Sequence, residues 1–267
     1  MPDFSPLLLV GAGRLGSALI EGWRRTGAFQ PRDLIILDPQ PGESARKAAE
    51  AGASLNPPVA ELLGARTVVL AVKPQAWRAA AAELEPHLAR EAVVVSVAAG
   101  VRTLDLQRAF GGRAVARTLP TTAVAVGQGA CALYAADPQA AAAAHAVFDP
   151  VARTVDLNDE AQMDSVIGIC GSAPGFFYAF IEALEAAGIA EGLPPEVARP
   201  LARAAVAGAG ALMQEMGAEP AGLRRQVASP AGTTEAGLNV LMRAGALPDL
   251  LREAVTAAAE RSRELGG

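Results

Sequence analysis

The chain has 267 residues, of which 51% are hydrophobic and 19% charged, and its formal net charge is −5. This composition is typical of a globular protein rather than a disordered one, and the negative charge gives no basic field to hold nucleic acid. The longest apolar stretches, such as residues 67–72, are strand-sized and too short to span a bilayer. Because the first residues lack the basic leader of a signal peptide, we expect a soluble cytoplasmic protein with no membrane or nucleic-acid partner.

The first part of the chain alternates β-branched runs with alanine-rich segments. This alternation predicts a parallel sheet with helices on both faces, and the strands are apolar throughout because both faces are covered. The predicted strands are 7–10, 34–37, 67–72, 92–97 and 113–118, and 129–134 and 152–157 extend the same sheet. The predicted helices between them are 14–26, 43–51, 57–63, 75–85, 102–109 and 138–148.

Beyond residue 158 the sequence shows only helical periodicity. We therefore expect an N-terminal Rossmann-type, doubly wound parallel sheet in residues 1–158 and an all-helical domain in residues 159–267. The predicted helices of the second domain are 161–189, 195–217, 219–227, 234–244 and 248–264. Its small side chains bury little apolar area each, so we expect this domain to complete its core against a second copy of the chain.

A glycine-rich loop follows the first predicted strand and opens the first predicted helix. Its residues Gly11, Gly13, Arg14, Leu15 and Gly16 carry the pattern G-x-G-x-x-G. In that context the glycines permit a tight turn and a close backbone approach to a pyrophosphate, which the helix N-terminus attracts. The loop therefore predicts a bound NAD or NADP; the alternative is a generic glycine turn.

Asp38 ends the second predicted strand, where a carboxylate can accept hydrogen bonds from the adenosine ribose. It favours NAD(H), because it would repel the 2′-phosphate of NADP(H), but Arg46 and Lys47 are close enough in sequence to reach back. The alternative is that Asp38 is a turn residue before Pro39.

Two further segments follow strands whose carboxyl ends lie at the ligand-binding edge of such a sheet. Val72 and Lys73 end the strand at 67–72, and Ala98 follows the strand at 92–97. We assign all three to the cofactor site, with Lys73 facing the nicotinamide ribose or the substrate. A solvated lysine at a strand end is the alternative for Lys73.

The cysteines and histidines form no recognisable catalytic or metal-binding set. Cys131 and Cys170 lie far apart in sequence and are expected to be buried free thiols. His87 and His145 have no neighbouring ligands. We predict no metal site, and a cofactor must supply the chemistry.

The segment 227–237, "VASPAGTTEAG", interrupts a region that otherwise reads as helix. Proline costs about 3 kcal/mol inside a helix and glycine about 1, so a polar break needs a reason. The residues concerned are Ser229, Pro230, Gly232, Thr233 and Thr234. One alternative is a plain linker, in which Ser229 and the threonines cap the next helix.

This combination resembles the pyrroline-5-carboxylate reductase family over essentially the whole chain. The most specific match is "LRRQVASPAGTTEAGLNVL" (223–241), and "CGSAPGFFYAFIEALEAAGIAEGL" (170–193) is similar to the family's G-S-G-P-A segment. "AVKPQ", "SVAAGV" and "RTLPTTAVAVGQGA" match its nucleotide-domain landmarks. The chain departs from the family at Thr121, where Asn is usual, and in having G-S-A-P-G at 171–175.

The resemblance implies NAD(P)H-dependent reduction of 1-pyrroline-5-carboxylate to L-proline by a homodimer or higher homo-oligomer. The turn holding Ser229, Gly232 and Thr233 would bind the substrate carboxylate through backbone N–H groups and hydroxyls. Thr234 would be the catalytic residue that hydrogen-bonds the imine nitrogen, and Ser172 would make a further substrate contact.

Two rival functions fit the sequence less well. A reductase of β-hydroxyacids or of coenzyme F420 would need a catalytic lysine in the first long helix of the second domain, and residues 161–190 contain none. A catalytically silent nucleotide-binding regulator would have no use for the imine-binding residue Thr234.

Overall fold

An eight-stranded sheet organises the first part of the chain in the computed structural model, which describes residues 4–266. Most of the strands are short apolar runs that end at a glycine, a polar residue or a turn. The strands are β1 (Leu7–Val10), β2 (Leu34–Leu37), β3 (Ser54–Leu55), β4 (Thr67–Leu70), β5 (Val93–Ser96), β6 (Val115–Pro120), β7 (Gly129–Tyr134) and β8 (Ala152–Asp156).

The strand order is β3-β2-β1-β4-β5-β6-β7-β8. All neighbouring strands run parallel except β6 and β7, which are antiparallel. Strand β1 pairs in step with β2 on one side and β4 on the other, so the three strands end at one edge. The chain order reverses between β1 and β4, where ligands of such sheets bind. The predicted Rossmann-type sheet is confirmed.

Helices cover both faces of this sheet. They are α1 (Arg14–Thr26), α2 (Glu43–Glu50), α3 (Trp77–Leu84), α4 (Thr103–Ala109) and α5 (Pro138–Phe148). Leu7 and Leu9 join the core layer that contains Trp23, whereas Leu8 and Val10 join the layer that contains Trp77. This alternation of one strand between two apolar layers is why β1 shows no polar face.

The chain separates into two compact units. The first holds the residues up to Gly171 together with residues 257–267, and the second is Ser172–Thr256. The functional division after residue 158 stays a prediction. The remaining helices are α6 (Gln162–Val166), α7 (Ala173–Ala190), α8 (Pro195–Met216), α9 (Pro220–Val227), α10 (Thr233–Leu241) and α11 (Leu247–Gly266).

The helix predicted over 161–189 is observed as a helical segment over Gln162–Ala190 that is not continuous. A π-helical turn, Ile167–Gly171, separates α6 from α7. Pro174 lies in the first turn of α7, where its missing N–H costs nothing; farther along a helix it would remove a hydrogen bond.

The second unit exposes many large apolar side chains, including those of Phe177, Tyr178 and Leu201. Among the described residues, Gln162–Ala190 is long and apolar enough, by length and composition alone, to cross a bilayer. The expectation that no apolar stretch reaches that length is therefore wrong for this segment.

Candidate active site

The glycine-rich loop lies between β1 and α1, where each glycine meets a different steric demand. Gly11 has φ of +94°, and a Cβ there would lie 2.7 Å from the Ala71 carbonyl oxygen. A Cβ at Gly16 would overlap the Gly11 carbonyl oxygen. A Cβ at Gly13 would meet nothing within 4 Å. Gly11 and Gly16 therefore allow the turn and the helix to pack closely, while Gly13 leaves an open face for a ligand.

The N-terminus of α1 is equipped to bind an anion. Gly13 is its N-cap residue, and the helix has neither a side-chain cap nor an acidic residue in its first turn. Its first backbone N–H groups have no acceptor inside the helix, so they present positive potential. Arg14 is exposed and Leu15 is half-buried in this turn.

Asp38 follows β2 and holds the glycine-rich loop against that strand end. Its Oδ2 accepts a hydrogen bond from the Ala12 N–H at 2.6 Å, and its Oδ1 accepts one from the Gln40 N–H at 2.8 Å. The bond to Gln40 is the turn role that the sequence left open. The carboxylate stays half-exposed, and each oxygen has a second lone pair for a ribose hydroxyl.

Asn56 is a contributor that the sequence reasoning missed. Its side chain accepts a hydrogen bond from the Asp38 N–H at 2.9 Å and donates one to the Asp38 carbonyl at 2.8 Å. Asn56 adopts a φ of +49°, which asparagine tolerates better than most residues. An asparagine directly before two prolines was the available signal.

The basic residues that could reach Asp38 differ in their surroundings. Lys47 Nζ lies 2.6 Å from Glu43 Oε1, an ion pair within α2. Arg46 is exposed on the same helix. The charge of Lys47 is therefore partly neutralised by Glu43. Arg46 is the better candidate to reach Asp38.

The carboxyl ends of β4 and β5 extend the same edge of the sheet. Val72 is half-buried and Lys73 is exposed after β4. Ala98 is buried after β5, and its N–H donates to Ser96 Oγ at 3.2 Å. The structure thus brings together every residue predicted to bind the cofactor, from β2 through β1 and β4 to β5.

Two cavities open at this edge. The smaller measures about 190 Å³ and is lined by Pro74, Gln75, Ala99, Gly100, Ile167 and Ser262. The larger measures about 400 Å³ and is lined by Gly100, Arg102, Arg117, Glu160, Ala161, Asp164 and Arg263. Gly100 borders both, so the loop after β5 forms a wall of each.

The predicted substrate-binding turn lies in the second unit, between α9 and α10. Ala231 has φ of +56°, and Gly232 is the N-cap residue of α10. A Cβ at Gly232 would overlap Ser229 Oγ, which can rotate away, and would lie 3.0 Å from the Ser229 carbonyl oxygen. Ser229, Thr233 and Thr234 are exposed on this turn.

The plain-linker alternative stays open at the start of α10. The N-cap residue, Gly232, has no side chain with which to cap the helix. Glu235 instead reaches back to accept a hydrogen bond from the Ala231 N–H at 2.8 Å. The N–H groups of Thr233 and Thr234 begin the helix and have no acceptor within it.

Ser172 precedes α7 in the N-cap position, also without a side-chain cap bond. Its carbonyl accepts a hydrogen bond from the Gly175 N–H at 2.9 Å. Its half-buried hydroxyl is thus not used by its own helix.

The remaining nucleophilic and titratable candidates are committed elsewhere. Cys131 and Cys170 are buried free thiols, and burial raises the pKa of both. His145 lies between the carboxylates of Asp149 and Asp156. Among residues 4–266 no group of three His, Cys, Asp or Glu side chains is placed to hold a metal ion.

Two family models match the chain, one in each half. Residues 7–100 match the model described as NADP oxidoreductase, coenzyme F420-dependent. Residues 160–265 match the model described as pyrroline-5-carboxylate reductase dimerisation.

Individual proteins are similar over nearly the full length. A pyrroline-5-carboxylate reductase from Pseudomonas aeruginosa is 36% identical over 265 residues, covering 97% of this chain and 96% of that one. The solved structure of a pyrroline-5-carboxylate reductase from Coxiella burnetii superimposes with a TM-score of 0.90 at 28% identity, covering 99% and 100%. A Plasmodium falciparum pyrroline carboxylate reductase solved with NADP bound shares the fold, with a TM-score of 0.83 at 22% identity and full coverage of both chains.

Proposed function

The chain belongs to the pyrroline-5-carboxylate reductase family, and from that premise we propose how its residues divide the work of the reaction. The enzyme reduces the C=N bond of 1-pyrroline-5-carboxylate to L-proline, the last step of proline biosynthesis. NADH or NADPH, when bound, supplies the hydride. The observation that carries this function is the full-length similarity, together with a glycine loop whose open face suits a pyrophosphate.

The cofactor is held by the loop and the strand ends of the first unit. Gly11, Gly13 and Gly16, with Arg14 and Leu15 between them, bind the pyrophosphate at the N-terminus of α1. The fit is supported by the open space over Gly13 and by the uncapped first turn.

The sugar and nicotinamide ends of the cofactor use the neighbouring strand ends. Asp38 accepts hydrogen bonds from the adenosine ribose and favours NADH over NADPH, because its charge opposes a 2′-phosphate. Val72, Lys73 and Ala98 bind the nicotinamide half. This assignment is supported by their common edge after β4 and β5.

The substrate is a small cyclic imine with a carboxylate, and the turn before α10 suits the carboxylate. The backbone N–H groups at Thr233 and Thr234 supply positive potential, and the hydroxyls of Ser229 and Thr233 add hydrogen bonds. Gly232 permits the close approach of backbone to ligand.

The imine nitrogen is hydrogen-bonded by the Thr234 hydroxyl, which is the catalytic contact, and Ser172 makes an additional contact with the substrate. A protonated imine is already electrophilic, so these residues chiefly orient the C=N bond and exclude water. No strong acid or base is required, consistent with the commitment of His145 to two surface carboxylates.

The experiment that tests the function is nucleotide oxidation on addition of pyrroline-5-carboxylate. The purified chain should consume NADH or NADPH, and no loss of absorbance at saturating substrate would reject the function.

Thr234→Val should lower kcat by about a hundredfold with little change in nucleotide affinity. Thr234→Ser keeps the hydroxyl and should retain most turnover; equal losses of turnover and nucleotide affinity in Thr234→Val would contradict the assigned role.

The match to a dimerisation model indicates a homo-oligomer, and a dimer is its simplest form. The compartment that we propose is the cytoplasm. The exposed apolar side chains of α7 and α8 support an interface there between two copies of the chain.

A further inference from the structure

Glu160, just after β8, gathers three hydrogen bonds on a single carboxylate oxygen. Its Oε1 accepts from the Thr103 N–H at 2.7 Å and from the Thr103 hydroxyl at 2.8 Å. The same atom accepts from Arg117 Nη1 at 2.6 Å. These partners are 57 and 43 residues away in sequence, so Glu160 joins segments that the chain itself does not hold together.

One partner, Thr103, directly follows a loop, and the other, Arg117, lies beside the start of the same loop. Residues 97–102 connect β5, which ends at Ser96, to α4, which begins at Thr103. Ser96 pairs in register with Arg117 on the adjacent strand β6. By bonding both Thr103 and Arg117, Glu160 ties the exit of the loop to the strand beside its entry.

The network is buried enough to be rigid. The Arg117 side chain is 10% exposed and that of Glu160 26%. Burial would raise the pKa of Glu160, but the hydrogen bonds from Thr103 and Arg117 outweigh it and lower that pKa. The carboxylate is therefore charged at neutral pH, where charge-assisted hydrogen bonds are short and strong.

We propose that Glu160 is a positioning residue for hydride transfer, acting through the loop 97–102. This inference rests on the proposed function, which places Ala98 of that loop against the nicotinamide half of the cofactor. Glu160 also lines the larger cavity at this edge of the sheet. The role proposed for it is to fix the loop 97–102.

The role has a kinetic signature because hydride transfer depends steeply on geometry. A misplacement of about 1 Å in a reacting group can cost about a hundredfold in rate. The pyrophosphate loop at Gly11–Gly16 lies at a different strand end and makes no hydrogen bond to Glu160 among those observed in the described residues. Loss of Glu160 should therefore lower kcat far more than it weakens nucleotide binding.

The test compares Glu160→Ala with Glu85→Ala in the full-length enzyme. Glu85 pairs with Arg113, whose side chain is 7% exposed, while that of Glu85 is 34% exposed. Both substitutions thus remove a carboxylate from a buried arginine, but only one touches the loop. Glu160→Ala should lower kcat by about ten- to a hundredfold with a nucleotide Kd within about threefold of the wild type.

Two further measurements separate positioning from general stability. Hydrogen–deuterium exchange of the nucleotide-free protein should rise at residues 97–105 in Glu160→Ala and stay unchanged there in Glu85→Ala. The isotope effect on kcat with nucleotide deuterated at the transferred position should also rise only in Glu160→Ala, as the chemical step becomes limiting.

A graded series keeps the test decisive if Glu160→Ala fails to fold. Glu160→Gln retains an acceptor for Thr103 and should lie between alanine and wild type, as should Thr103→Val, whereas Thr103→Ser should match the wild type. Equal specific activities and equal loop exchange in Glu160→Ala and Glu85→Ala would overturn the proposal. Wild-type activity in both Thr103→Val and Glu160→Gln would also overturn it. A wild-type enzyme without turnover would instead reject the proposed function, and this inference with it.

Discussion

At the scale of single residues, Asp38 combines two tasks that one substitution can separate. Its carboxylate accepts hydrogen bonds from Ala12 and Gln40, and its charge faces the edge where the adenosine ribose is proposed to bind. Asn in its place would remove the charge and keep one acceptor oxygen, which serves only one of the two backbone N–H groups of Ala12 and Gln40. The electrostatic task would disappear, and half of the structural task would remain.

We therefore expect Asp38→Asn to shift cofactor preference toward NADPH. The ratio of kcat/KM for NADPH over NADH should rise by about tenfold, because a like charge no longer opposes the 2′-phosphate. Steady-state rates with both nucleotides measure this ratio. Asp33→Asn is the matched control, since Asp33 precedes the same strand at its opposite end; a similar shift in that variant would show a general charge effect.

Prediction from sequence reached Asp38 but missed the residue that supports it. A carboxylate after the second strand has a recognised use in dinucleotide-binding folds, so its position alone suggested a role. Asn56 acts through the backbone of Asp38, and its partner lies 18 residues away across a sheet whose register the sequence does not state. Such a contact depends on tertiary pairing and becomes visible only in the structure.

At the scale of elements, the attachment of α5 to the edge strand β8 depends on pH. His145 lies on α5, with Nδ1 3.0 Å from Asp149 and Nε2 3.1 Å from Asp156, the last residue of β8. Burial would lower the pKa of His145, but hydrogen bonds and charge from Asp149 and Asp156 outweigh it, and the pKa is raised. The protonated imidazole is thus the form that folding favours.

The sign of the effect follows from linkage. A folded-state pKa above the unfolded value of about 6.5 gives stability that is complete below that pH and is lost as the pH rises through the folded pKa. Relative to wild type, His145→Gln should be destabilised by about 0.2–1 kcal/mol near pH 6 and by less near pH 8. Thermal unfolding at fixed protein concentration measures the difference.

His87→Gln serves as the control for this measurement, because it removes the other histidine and leaves the cluster on α5 intact. Its stability should follow the wild-type pH dependence. A constant difference between His145→Gln and wild type from pH 6 to 8 would contradict the pH-dependent ion pair.

The elements that the sequence predicted well are those defined by local pattern. Strands β1 and β2 were predicted at their observed bounds because each is a four-residue apolar run with turn residues after it. Strand β3 has two residues, too few for any periodicity, and was missed. The segment predicted as a helix over 57–63 is a 3-10 helix, Val59–Gly64, since apolar spacing over so few residues does not distinguish the two.

At the scale of the whole molecule, the exposed apolar surface of the second unit requires a covering. Where such side chains form a contiguous patch, the patch usually marks an interface. The length of Gln162–Ala190 would also suit a bilayer, but the match of residues 160–265 to a dimerisation model favours a second copy of the chain. A bilayer and a second copy of the chain predict different behaviour of the purified protein in buffer without detergent.

We expect the protein to sediment in detergent-free buffer at a multiple of its 27.2 kDa chain mass. Leu201 on α8 is 59% exposed, so Leu201→Arg should leave the protomer folded while placing a charge in the interface, where an unpaired charge costs several kcal/mol. Dissociation and loss of activity should accompany each other in this variant.

Leu104→Arg changes a side chain of similar exposure, 53%, in the first unit and should leave the assembly intact. A wild-type protein that is monomeric at about micromolar concentration, or a Leu201→Arg variant that keeps the native mass, would remove the helical unit as the interface and leave its apolar surface to another partner.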